Sequence, residues 1–130
     1  TKNENILINC SRTIFPMEKD AMRWANYIGN RCFAIFLSII INNPVSDSLC
    51  GTKVFSRKFF YLMRENGSWE STLDPFGDFT IIFEAAKNNI KILNYPVRYY
   101  SRKSGAPNIS RWIDGLKLLR VCWAYIISDL

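Results

Sequence analysis

The sequence predicts a mixed α/β domain, a sheet flanked by helices, on three observations. Short apolar runs (Ile6-Leu7-Ile8, Val54-Phe55 and Ile90-Lys91-Ile92-Leu93-Asn94-Tyr95) alternate with longer segments of helical period. Apolar residues make up 48% and aromatics 15% of the 130 residues, enough for one buried core and too rich for a disordered tail. Turn signals at Asn42-Asn43-Pro44 and Asp74-Pro75-Phe76-Gly77 separate the elements.

Taken in order, Ile6-Leu7-Ile8 is a strand running out at Asn9-Cys10-Ser11, with Arg12 at its C-terminal edge. After Pro16 the spacing predicts a helix from about Glu18, with Ala21, Trp24, Ile28, Cys32, Ile35 and Ile39 at steps of three and four. Its second half, Phe33 to Ile41, is apolar all round, as in a buried helix or one laid against a membrane. That run falls short of the ~20 residues a membrane span needs. Val45 to Lys53 forms a loop entering the strand Val54-Phe55, and Ser56 opens a short helix reaching Arg64. Glu65 to Thr72 reads as a polar loop. A helix beginning at Asp78 carries Phe79, Ile82, Phe83 and Ala86 on one face and closes at Asn88-Asn89. The strand to Tyr95 leads into an extended piece, Pro96 to Tyr100, and a basic loop, Ser101 to Pro107. The last helix starts near Asn108, and Ile109, Trp112, Ile113, Leu116, Leu119, Trp123 and Ile127 form its apolar stripe. In both long helices most of the apolar residues are expected in the core.

Composition narrows the chemistry. The absence of histidine removes Ser-His-Asp and Cys-His catalysis and most transition-metal sites. Cys10, Cys32, Cys50 and Cys122 are far apart with no CxxC pair, and read as reduced, buried thiols of a cytosolic protein. A formal charge of +6 predicts an anionic partner: phosphate, membrane surface or nucleic acid. The basic residues are scattered without an RNP-like or helix-turn-helix signature, so nucleic acid is not expected. No secretory signal is evident in the polar start Thr1-Lys2-Asn3-Glu4-Asn5. Asp78, placed at a helix start after a Pro-Gly turn, is suited to accepting a proton or binding a cation. It is equally suited to capping the helix, worth roughly 1 kcal/mol.

Four segments in order resemble family 2 glycosyltransferases: Ser11-Arg12-Thr13-Ile14-Phe15-Pro16-Met17-Glu18-Lys19, Asp47-Ser48-Leu49-Cys50-Gly51-Thr52-Lys53, Gly77-Asp78-Phe79, and Pro96-Val97-Arg98-Tyr99 with Arg102 and Gly105. The likeness is to the subgroup of dolichyl-phosphate and other polyprenyl-phosphate sugar transferases. It implies that residues 1–130 are the acceptor-side half of one GT-A domain. The family's nucleotide-binding half, with its DxD pair, has no counterpart in this sequence. The divalent cation, Mg or Mn, is then expected on that other half, with no metal site in this chain. The resemblance makes Asp78 the candidate general base, or an orienting group when the acceptor is already a phosphate. It assigns Asp47 and Lys53 to an acceptor-side loop, and Arg102 with Gly105 to a loop over phosphates, with Arg12 in the same role. Ala106-Pro107-Asn108 departs from the family's hydroxyl-rich stretch.

The implied activity is transfer of a sugar from a nucleotide-sugar donor to a polyprenyl-phosphate or saccharide acceptor. This piece alone is expected to be inactive. The implied location is cytoplasmic, peripheral at the cytoplasmic membrane face. The other readings are a non-enzymatic basic module for anionic membrane or nucleic acid, and a degenerate scaffolding relative.

Overall fold

A computed structural model describes residues 5–68, 74–105 and 111–128. The order is β1 (Ile6–Ser11), α1 (Trp24–Ile41), β2 (Lys53–Phe55), α2 (Arg57–Glu65), α3 (Asp78–Lys87), β3 (Lys91–Pro96) and α4 (Arg111–Ser128). The three strands form one mixed sheet in the order β2-β1-β3, flanked by helices. β2 is antiparallel to β1, with Val54 opposite Ile8, and β3 is parallel to it, with Leu93 opposite Ile8. The expected mixed α/β architecture is present.

β1 continues past Ile8 because both neighbours keep pairing with it: Asn9 aligns with Lys53 of β2, and Cys10 and Ser11 align with Tyr95 and Pro96 of β3. Alternation puts Leu7, Asn9 and Ser11 on one face, all fully buried. The core gathers Leu7 and Ile92 of the sheet, Phe59 and Met63 of α2, Phe79, Ile82 and Phe83 of α3, Leu37 of α1, and Leu118 and Cys122 of α4. Phe79 meets Phe33 edge-on at 5.6 Å, and Phe83 stacks on Tyr125 at 4.0 Å. Pro96 ends β3; Val97 still donates its N–H to Ser11 O at 2.9 Å, but the segment to Tyr100 joins no strand among the described residues.

α1 begins at Trp24 rather than near Glu18. Asp20 sits in the left-handed region (φ 63°) and Arg23 is extended, so the turns before Trp24 cannot join the helix. At the other end Asn42 takes a left-handed cap, as the Asn-Asn-Pro stop predicts. The helix therefore runs 18 residues, and by length and composition it is apolar enough to cross a membrane, whereas Phe33 to Ile41 alone was too short. The predicted start of α4 and part of the Glu65 to Thr72 loop lie outside the described residues.

The helices bury faces other than the expected ones. Trp24, Ile28, Cys32, Ile35 and Ile39 of α1 point outward, while Asn30, Ala34 and Leu37 are buried. On α4, Trp112, Ile113, Leu116, Leu119, Trp123 and Ile127 are all exposed, and Asp114, Leu118, Val121, Cys122 and Tyr125 face in. Helices this rich in apolar residues leave the period ambiguous, and particular partners set the rotation. Asn30 is held by a loop and Tyr125 by Phe83. Cys32 is exposed, against expectation, whereas the other three thiols are buried, and all four are free. Burial pushes the Cys122 thiol up to about 12.

The reversed face of α4 is testable. Leu118→Ala should cost about 2–5 kcal/mol in urea denaturation and Leu116→Ala less than about 0.5. Equal losses would contradict this packing.

Candidate functional site

The carboxyl ends of the parallel pair β1 and β3 open into a cleft of about 660 Å³. Ligands of open α/β sheets bind at such strand ends. Arg12, Gly51 and Asp78 contribute to it, as do Asp20, Arg23, Asn26 and Asn30 at and beyond the start of α1. Tyr99, Ser101, Arg102 and Gly105 come from the segment after β3.

Arg12 is fixed from behind. Its Nε and Nη2 donate to the Asp47 carboxylate at 2.8 and 2.9 Å, and its backbone N–H adds a third bond at 2.9 Å. The guanidinium also lies over the Tyr99 ring at 5.1 Å. Asp47 is fully buried and further accepts from Asn30 Nδ2 at 2.8 Å and Leu49 N–H at 3.2 Å. Burial alone pushes the Asp47 carboxyl up, but the Arg12 bonds and charge, with the Asn30 amide, hold it below the usual range. Asn30 Oδ1 accepts from Ser48 N–H and Oγ, and Asn94 Oδ1 from Ser46 N–H, so the loop is pinned on several sides.

Lys53 is also behind the cleft. Its ammonium donates to Cys50 O at 2.6 Å and to Asp78 Oδ1 at 2.8 Å, and its side chain is only 2% exposed. Asp78 reaches the cleft wall with its side chain 10% exposed. It makes no cap bond: Gly77, left-handed at φ 75°, is the N-cap of α3. The cap-like acceptor is Asp74, whose Oδ2 takes Thr80 N–H at 2.8 Å and Oγ1 at 3.0 Å while Oδ1 takes Phe76 N–H. With the Thr80 N–H taken by Asp74, the Asp78 carboxylate is left to Lys53 and the cleft.

The Arg102 segment is tied down by Glu18. Glu18 N–H donates to Tyr99 O at 3.2 Å, and its carboxylate accepts from the Ser101 N–H and hydroxyl. Those two Ser101 donors hold the Glu18 carboxyl below its ordinary value. Gly105 adopts φ 93°, a backbone open to glycine at little strain. On the opposite wall α1 begins with no side-chain cap and no acid in its first turn, which leaves a positive helix end beside Arg23.

Of the residues singled out in the sequence, Arg12, Asp78, Arg102 and Gly105 line one cleft, and Asp47 and Lys53 stand behind it, each bonded to a lining residue. Sequence reasoning missed Glu18, Asn30 and Asp74. Asp74 carried a signal, an aspartate opening a Pro-containing turn before a helix, whereas Asn30 and Glu18 act only through distant partners. The described residues hold no cluster of three or more His, Cys, Asp or Glu placed for a metal ion.

No protein-family model matches this sequence, and no curated protein or solved structure is significantly similar to it.

Two outcomes follow from this geometry. Asp74→Ala should lose about 1–2 kcal/mol in urea denaturation, the usual cost of a lost cap; an unchanged midpoint would remove that role. Asp47, depressed in the folded state, stabilises the protein fully above its unfolded value near ~3.9 and loses this as pH falls through the lower folded value. The stability gap between wild type and Asp47→Asn should therefore be wide at pH 6 and narrow sharply by pH 2–3. A constant gap would contradict the buried pair.

Proposed function

We propose that this chain is the acceptor side of a GT-A glycosyltransferase that moves a sugar from a nucleotide-sugar donor to a polyprenyl-phosphate or saccharide acceptor. The observation that carries the reading is the cleft itself, which Asp20, Asp78 and three arginines line together with an uncapped helix end. Arginine side chains grip phosphate with paired N–H groups, and a helix N-terminus adds partial positive charge. An anionic acceptor or a leaving diphosphate is the chemistry such a surface suits.

Asp78 is the group for proton transfer. The ammonium of Lys53, 2.8 Å away, holds its carboxylate at the cleft wall. For a hydroxyl acceptor, Asp78 takes the proton as the new C–O bond forms, a contribution of ~10²–10⁴ in rate. For a phosphate acceptor it orients the nucleophile. Arg12 and Arg102 offset negative charge, with Asp47 and Glu18 holding their segments in place. The divalent cation of the family reading is assigned to a nucleotide-binding half that this sequence does not contain.

The uncovered apolar faces of α1 and α4 support a peripheral seat at the cytoplasmic membrane face. Trp112 and Trp123 stand on the α4 face, and the exposed Lys117 and Arg120 lie on the same helix, a combination suited to an anionic interface. The same faces also favour the second reading, a membrane-binding module without turnover.

Kinetics separate the two. In a full-length protein carrying this sequence, Asp78→Asn should lower kcat at least ~100-fold toward a hydroxyl acceptor with little change in KM. A wild-type rate for Asp78→Asn would remove it from the mechanism; vesicle binding without any transfer would favour the module.

A further inference from the structure

Beside the arginine-lined cleft lies a second and more open one of about 920 Å³, and the two share Asp20, Met22 and Arg23. Its wall includes Trp24 and Tyr27, whose rings stack at 5.8 Å and 16°. That contact fixes the plane of an indole that is 74% exposed. Phe15 and Pro16 of the segment after β1 complete the apolar side. The polar side is Asp20 and Arg23, and neither side chain has a hydrogen bond or ion pair in the described structure.

We propose that this wall is a subsite for a pyranose ring, with Trp24 as the stacking platform and Asp20 and Arg23 as hydroxyl partners. One face of a pyranose is a patch of C–H groups, which suits the electron-rich face of an indole. Its rim is a ring of hydroxyls, which donate to a carboxylate and accept from a guanidinium. The other occupants fit less well. A second phosphate meets the Asp20 carboxylate, and hydrocarbon leaves two charged groups desolvated without partners. Ile28, Ile35 and Ile39, the rest of the outward apolar stripe of α1, do not line this cleft. The shared Asp20, Met22 and Arg23 join this wall to the cleft that Asp78 and Arg12 line, where an acceptor saccharide would be used. The proposal rests on the transferase reading for the word acceptor, but not for binding.

The test uses the 130-residue chain and a panel of methyl glucoside, methyl mannoside, methyl galactoside and N-acetylglucosamine at millimolar concentrations. Saturation-transfer NMR should show contact with the ring C–H protons of at least one of them. Trp24→Ala should weaken that binding about tenfold and Trp24→Phe much less, with unchanged melting temperatures because the side chain is exposed. Asp20→Asn should weaken it severalfold. The proposal is overturned if no panel sugar binds, if binding ignores Trp24→Ala, or if, with Trp69, Trp112 and Trp123 each replaced by Phe, brominated-lipid vesicles quench Trp24 and sugar does not reverse it. Binding is read without donor or turnover. Sugar binding with no transfer in a full-length protein therefore counts against the transferase alone, and transfer without binding counts against the subsite alone.

Discussion

The ion pair between Arg12 and Asp47 is the interaction on which the rest of the structure depends. Five donors converge on one buried carboxylate, from the end of β1, from α1 and from the loop that leads into β2. Such a carboxylate would be costly to bury alone, and here every approach to it supplies a donor. The same pair decides where Arg12 can point. With its backbone and two side-chain nitrogens committed to Asp47 and its plane resting over Tyr99, the guanidinium offers its remaining N–H groups to the cleft it lines.

A comparable division of labour surrounds α3. Asp74 and Asp78 stand four residues apart, and either looks able to cap the helix. Because Asp74 satisfies the Thr80 N–H, Asp78 is available to Lys53. The buried ammonium is thereby matched, and the Asp78 carboxylate is held at the cleft wall with little of it in water. Charge in this site is thus organised in two layers. Asp47 and Lys53 stand behind, and the groups they hold, Arg12 and Asp78, stand in front.

Much of this was legible from sequence, and the failures have physical causes. The alternation of short apolar runs with helical segments gave the element order, and the Asn-Asn-Pro and Pro-Gly signals gave the end of α1 and the start of α3, while the start of α1 was set too early. Local pattern missed what tertiary pairing supplies. Asn9 and Ser11 read as the end of β1, yet both are paired and buried. The apolar stripes of α1 and α4 were placed inward, because period detects a stripe but not which side a partner occupies. The candidate residues Arg12, Asp78, Arg102 and Gly105 do meet in one cleft. The resemblance assigned Asp47 and Lys53 to an acceptor-side loop, and packing shows them behind the cleft, bonded to Arg12 and Asp78.

Among the described residues the sheet order leaves β3 with one side unpaired, and its backbone groups there are a template for another strand. The residues of that edge limit the hazard. Lys91 opens it with a charge, and Pro96 closes it with a residue that cannot donate, so a fully aligned partner finds only a short ladder between them. Asn94, midway along, spends its side chain on Ser46 and Pro44 rather than on the edge. An incoming strand gains little there unless it brings its own side chains to cover Leu93 and Tyr95, which makes the edge selective for a matched neighbour and resistant to self-association.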